Sequence, residues 1–200
     1  MKKCKVEGCN GKHCAKGYCN KHYYQMKRCG KVTTRNRLDP NEIIKYDDHA
    51  EIVLYDNYGI EKSRTLIDLD DVDKVKDYKW CILSASGYVS TNIKGLNMRL
   101  HRFIMDCPED MVVDHINHDR LDNRKSNLRI CTRQQNNMNR KCAGITYHKT
   151  TGKWIAQIAY NHNHMYLGSF DKKEDAIQAR KQAEIEYFGE YRNQDEEDAS

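Results

Sequence analysis

The apolar positions of this chain recur at strand-like or helix-like periods over short stretches only. Ala50–Tyr55, Thr65–Leu69 and Gly87–Thr91 alternate apolar with polar side chains and stop at turn residues, which predicts strands. Asp70–Val75 predicts a helix start with acids at the positive end of the dipole, and Trp80 is the natural core residue nearby. Met98–Met105, MRLHRFIM, alternates again and predicts a further strand. Val112–His115 is a β-branched run that opens into a turn-rich loop, and Leu128–Cys131 is its expected antiparallel partner. Thr132 and Gln135 stand at capping-box spacing, so a helix should begin there. Gly144–Lys149, Lys153–Tyr160 and His164–Phe170 then predict three strands joined by Thr150-Thr151-Gly152 and Asn161-His162-Asn163. Asp171 and Glu174 predict a second capping box, opening a helix that stops at Gly189. Ala176, Ala179 or Arg180, Ala183 and Tyr187 give that helix a narrow stripe of small residues, suited to close packing on a sheet. The elements predict an α+β chain of small modules.

Composition sharpens the division. With 38% of its 200 residues hydrophobic and 32% charged, the chain cannot build one large core. The net charge is +5, yet Met1–Arg37 holds eleven Lys/Arg and one acid, a local +10, so the remainder sums to −5. From Leu38 to Met111 fifteen Asp/Glu face nine Lys/Arg. These shifts separate a basic module (1–37), a β-rich platform (39–106), a strand–loop–strand–helix unit (107–140), a sheet-and-helix module (141–191) and an acidic, disordered tail (192–200). A basic arm of that density suggests a phosphate backbone as partner. No apolar run approaches a membrane span and no signal-peptide core follows the initiator Met, so a cytoplasmic protein is expected.

Five of the nine cysteines fall in the first 29 residues, interleaved with His and Lys, and the total is odd. Metal ligation in a reducing compartment explains this better than disulfides do. The pattern Cys4-x4-Cys9 and Cys19-x2-His22, with Gly8, Gly11 and Gly17 between, has the tight knuckles that zinc needs, and Cys14, Cys29 and His13 are extra candidates. So short and polar a peptide would draw most of its folding free energy from the metal. CKVEGCN…AKGYCNKHY resembles a small zinc-binding module found at the start of phage-borne nucleases, and the resemblance implies Cys4, Cys9, Cys19 and His22 as the Zn²⁺ ligands.

The chemistry concentrates between Val112 and Arg140. A DNA phosphodiester is hard to cleave because water is a poor nucleophile and charge builds on the leaving oxygen. A neutral imidazole can take a proton from water near neutral pH, which makes His115 the candidate general base. Asp114 and Asn136 offer hard oxygens to a divalent cation, and Asn127 can hold the other nitrogen of His115. One acid and one amide leave most of the metal's shell to water and phosphate, which suits Mg²⁺ or Mn²⁺. LHRFIM, VVDHIN, the later Asp-Asn and Asn-Leu-Arg, and Thr-Arg-x2-Asn resemble the HNH nuclease family over roughly Leu100–Arg140, and imply its ββα-metal unit. The region before it, DLDDVDKVKDYKW with a Gly-Tyr strand and LHRFIM, is similar to that preceding the nuclease motif in phage and intron-encoded HNH endonucleases. Arg102 and His101 are candidates for touching a phosphate there. Many relatives have Asp-Gly after His-Ile where this chain has Asn117-His118, which leaves His118 as a competing ligand. Neighbouring strand residues also point to opposite faces, so Asp114 and His115 share a site only if the strand kinks or ends there.

GITYHKTTGKWIAQI…MYLGSFDKKEDAIQARKQAEIEYFGEY resembles the ethylene-response-factor (Apetala-type) DNA-binding domain. That resemblance implies a sheet face carrying Thr146, His148, Gln157, Ala159, His164 and Tyr166 toward double-stranded DNA. Ile145, Tyr147, Trp154, Ala156, Ile158 and Leu167 would then pack on the helix. Plant members place several arginines on that face and this chain does not, so their base preference does not carry over; Gln157 suits an adenine edge. Taken together the resemblances imply a homing-type HNH endonuclease, phage- or mobile-element-encoded in a bacterial host and acting as a monomer on DNA. The alternative is a non-catalytic DNA-binding regulator with a degenerate HNH unit.

Overall fold

The computed structural model describes residues 2–33, 35, 39–140, 144–161 and 163–193. It mixes helices with several small sheets and separates into two compact units, Met1–Cys107 with Asp119–Leu128 and Pro108–His118 with Arg129–Ser200. His162 and most of the acidic tail, residues 194–200, lie outside the described residues.

In the first unit, strands β1 (His13–Ala15) and β2 (Tyr18–Cys19) form a hairpin that runs into helix α1 (Asn20–Cys29). Gly30, in the left-handed region at φ 66°, ends α1 by returning its N–H to the Met26 carbonyl at 3.0 Å. Strands β3 (Ile43–Lys45), β4 (Ala50–Tyr55) and β5 (Glu61–Ile67) form an antiparallel sheet with Ile52 opposite both Ile43 and Thr65. Ala50, Ile52, Val53, Leu54 and Ile67 are buried, each large side chain contributing about 1.5–3 kcal/mol on leaving water. The predicted helix start is a 3-10 turn (Leu69–Asp71) leading into α2 (Val72–Val75), whose last carbonyl accepts from the buried Trp80 indole at 3.0 Å. A second antiparallel sheet holds β6 (Cys81–Ile82), β7 (Val89–Ile93) and β8 (Leu96–Arg99).

The strand expected over Met98–Met105 ends at Arg99, and α3 (Leu100–Ile104) follows. Leu100, His101 and Ile104 are buried together, a spacing one helical face satisfies and one strand face does not. His101 is therefore enclosed, edge-on to Tyr88, while Arg102 donates to the Cys107 carbonyl at 3.2 Å; neither stands on an exposed strand surface.

Residues 119–128 are stitched to β5. Leu66 donates to the Leu121 carbonyl at 2.8 Å, Asn123 N–H to the Leu66 carbonyl at 2.9 Å, and Thr65 Oγ1 to Leu121 at 2.7 Å. The buried Asn123 carboxamide completes the seam on Thr65 Oγ1 at 2.8 Å, and the buried Asp122 is clamped by both ends of the Arg124 guanidinium at 2.8 Å. Asp122 and Asn123 thus help to dock this polar loop on the platform.

In the second unit, β9 (Val112–His115) pairs with β10 (Leu128–Cys131), and α4 (Arg133–Met138) follows. The predicted capping box is present at Thr132 and Gln135. Strands β11 (Ile145–His148), β12 (Lys153–Tyr160) and β13 (Asn163–Phe170) form the expected antiparallel sheet, with α5 (Lys173–Phe188) packed on one face. The second predicted capping box does not form: Lys172 occupies the cap position without a side-chain bond, and Asp171 pairs instead with Lys153 at 3.2 Å. Gly144 approaches β12 so closely that a Cβ there would collide with the Gln157 carbonyl and the Arg180 guanidinium. The core of the unit joins Met138 of α4 to Ile158, Ala183 and Phe188, so the helix of the central motif and the C-terminal sheet share one apolar cluster.

Candidate functional site

The N-terminal cysteines converge. Sγ of Cys4, Cys9 and Cys19 and a ring nitrogen of His22 lie within 4.8 Å of one another. Cys9 and Cys19 sulfurs are 3.8 Å apart, and His22 Nδ1 stands 3.2 Å from Cys4 and 3.5 Å from Cys19. A tetrahedral zinc ion with Zn–S of about 2.3 Å and Zn–N of about 2.0–2.1 Å requires separations of about 3.8 Å between sulfurs and about 3.6 Å from sulfur to nitrogen, so the donor set fits. The geometry arises locally: the hairpin presents Cys19 immediately before α1, and one helical turn brings His22 back over it. Burial opposes ionisation of the Cys4 thiol, but hydrogen bonds from the Val6 backbone, His22 and Cys19 outweigh it and bring the group down to about 6. The Gly11 N–H favours the Cys9 thiolate, yet burial and the neighbouring sulfurs of Cys19 and Cys4 prevail and push that thiol up. Cys14 and Cys29 are exposed, and His13 Nε2 accepts from the Gly17 N–H at 3.0 Å; none of the three joins the cluster.

In the central motif, Val113, Asp114 and His115 are buried in succession, so both faces of β9 are covered near its end. Asp114 Oδ2 accepts from Arg129 Nε at 2.9 Å and Nη2 at 2.7 Å, and from Asn139 Nδ2 at 3.1 Å. The strand terminates in a turn, the His118 N–H reaching the His115 carbonyl at 3.1 Å with His118 itself at φ 63°. That left-handed conformation is the physical reason glycine suits this position. His118 Nε2 meets Asn193 Nδ2 at 3.0 Å. Asn136 lies half-buried on α4, and Asn127, in the first unit, is buried with its amide donating to the Asp122 carbonyl at 2.9 Å.

Two residues that sequence reasoning passed over hold this arrangement together. Asn139, just past α4, donates to Asp114 Oδ2, to the His115 carbonyl at 3.1 Å and to the Ile116 carbonyl at 3.2 Å, tying the helix end to the strand end. Arg129 adds Glu190 and Tyr191 carbonyls to its Asp114 pair and lies 5.0 Å over the Tyr191 ring. Their partners stand 15 to 62 residues away, beyond any local spacing signal.

On the C-terminal sheet, Gln157 and Tyr166 pair across β12 and β13, as do Ala159 and His164, and all four are exposed with Thr146 and His148. Ala156 and Ile158 are buried on the opposite face with Met165 and Leu167 packed nearby. Tyr147, expected against the helix, is 47% exposed on the edge strand β11 and packs on Trp154 with ring centroids 5.1 Å apart.

A family model described as HNH endonuclease matches residues 106–138. An uncharacterized HNH endonuclease of Acanthamoeba polyphaga mimivirus is 44% identical over 80 residues, covering 37% of this chain and 42% of that one. The chain therefore spans under half the length of the curated relative it matches. No solved structure matches the chain. No helix among the described residues is long and apolar enough to cross a membrane.

Proposed function

We propose that the chain is a metal-dependent DNA endonuclease of the HNH type that hydrolyses or nicks phosphodiester bonds. The observation that carries the reading is that the matched segment ends a buried strand in Asp114-His115 and has α4, with Asn136, tied back to that strand end through Asn139. His115 takes the proton from the attacking water, and Asn127 is its orienting amide. Asp114 keeps Oδ1 outside its bonds to Arg129 and Asn139, so this oxygen and the Asn136 carboxamide are the protein ligands for Mg²⁺ or Mn²⁺. When bound, the cation supplies charge neutralisation at the leaving oxygen. The ion pair with Arg129 weakens the negative charge that Asp114 offers, so phosphate and water must complete the shell. Cys4, Cys9, Cys19 and His22 hold a structural Zn²⁺ that folds the basic arm. Thr146, His148, Gln157, His164 and Tyr166 form the face laid against double-stranded DNA, the role implied by the ethylene-response-factor resemblance. A viral relative fits a virus-borne or mobile-element nuclease; a bacterial host and a monomer on DNA rest on the HNH resemblance alone.

The same Arg129–Asp114 pair favours a second reading, a DNA-binding regulator in which Asp114 has become structural. Supercoiled plasmid carrying candidate sites, incubated with Mg²⁺ and either parent or His115→Ala, separates them. The nuclease reading expects metal-dependent relaxation that drops by about 10²–10⁴-fold in the variant, the range for loss of a general base. Equal relaxation by the two proteins on every substrate favours the regulator.

A further inference from the structure

We infer that the cleft lined by α4, α5, β12 and β13 is a track for the sugar–phosphate backbone of duplex DNA. The cleft holds about 740 Å³ and lies wholly within the second unit. Arg133 and Asn137, one helical turn apart on α4, form one wall with Arg140 just beyond the helix. Gln157 and His164, from the exposed face of β12 and β13, form the other. Arg180 reaches in from α5, where it is committed to the Gln157 carbonyl and to Glu184.

Three observations make this a site rather than a solvated surface. No carboxylate lines the cleft among the described residues, although the chain carries 29 acids. The side chains of Arg133, Asn137, Arg140, Gln157 and His164 have no hydrogen bond or ion pair among the described residues, so none is needed to hold the fold. They also converge on one concavity from two elements that share an apolar core, which fixes their spacing. Two uncommitted guanidiniums flanked by amides match a chain of phosphates. The track adjoins the helix that carries Asn136, so a strand held there is delivered to the proposed cutting residues. The choice of DNA over another polyanion rests on the nuclease reading; the positive cleft does not.

The test measures binding by the full-length chain carrying His115→Ala, so that no cutting intervenes, with a labelled duplex over a range of salt. In that background the pair Arg133→Gln/Arg140→Gln should lower the slope of log affinity against log salt by about 1.8, two phosphate contacts at about 0.9 each, and weaken binding by about tenfold on every duplex sequence. The pair Arg133→Lys/Arg140→Lys should keep the slope, since charge is retained. A benzophenone amino acid at position 137 should crosslink to the duplex under light. An unchanged slope in the glutamine pair, equal loss in the lysine pair, or absence of the crosslink overturns the inference. So does displacement of the duplex by millimolar inorganic phosphate or a deoxymononucleotide, which assigns the cleft to a small phosphoanion. Plasmid cutting is scored separately, so an inactive protein with an intact salt response refutes only the nuclease reading.

Discussion

Replacing Asn139 by Ala removes an amide that fastens the end of α4 to the end of β9. Three bonds of 3.1, 3.1 and 3.2 Å are lost, but unequally. Asp114 keeps both Arg129 donors and the His115 carbonyl keeps the His118 N–H, while the Ile116 carbonyl loses the amide outright. At about 0.5–1.5 kcal/mol per neutral bond and somewhat more for the bond to the carboxylate, the gross loss is about 3–5 kcal/mol. Asn139 Oδ1, however, is buried without a hydrogen-bond partner among the described residues, and deleting it returns about 1–2 kcal/mol. The net expectation is a destabilisation of about 1–4 kcal/mol. Asn139→Asp is shape-conserving yet brings a second carboxylate against Asp114, and it should cost at least about 2 kcal/mol beyond the alanine variant. Hydrogen exchange of the α4 amides under native conditions reads this directly, because it follows opening of the second unit by itself. Plasmid relaxation by Asn139→Ala should fall by about 10–100-fold as Asn136 loses its fixed position. Equal protection of α4 in the aspartate and alanine variants, or an alanine variant with protection and relaxation within error of the parent, would refute this role of Asn139.

Arg129→Met should cost about 3–5 kcal/mol by leaving Asp114 buried without its guanidinium, and Arg129→Lys should rescue little because it cannot reproduce the two-pronged contact; urea unfolding of both variants checks this. Metal analysis should find one zinc per chain, lost on Cys4→Ser or Cys19→Ser and kept on Cys14→Ser or Cys29→Ser, and strong chelation should unfold residues 2–33 as shown by circular dichroism; retention of zinc in both of the first two variants contradicts the ligand set. His118→Gly should be more stable than His118→Ala by about 1 kcal/mol, since both lose the ring and only glycine relieves the left-handed backbone; equal melting of the two would show that the turn carries no strain.

Local rules were enough wherever the deciding partner lay within a few residues. Alternation located β4 and the three C-terminal strands, Thr132 and Gln135 started α4, and the knuckle spacing of Cys4, Cys9, Cys19 and His22 survived as a converging cluster. The same rules failed at Met98–Met105, where alternation is ambiguous over so few residues and burial of Leu100 with Ile104 selects a helix, and at Asp171, which a cross-element lysine takes from the helix cap.

By itself, then, the sequence determined the chemistry on offer: an acid and an imidazole at a strand end, amides beyond them, soft ligands in a basic arm, and the order strand–loop–strand–helix. Tertiary structure alone decided how those groups are held. Nothing local to Asp114 announces that Arg129 and Asn139 will share its Oδ2, or that Thr65 will anchor a loop at Asn123, 58 residues on. Hydrogen bonds and charges are satisfied by whatever folding brings near, and a buried carboxylate or amide costs too much to leave alone. Packing of Met138 against Ile158 and Phe188 likewise made one cleft of two segments that the sequence presents as separate modules.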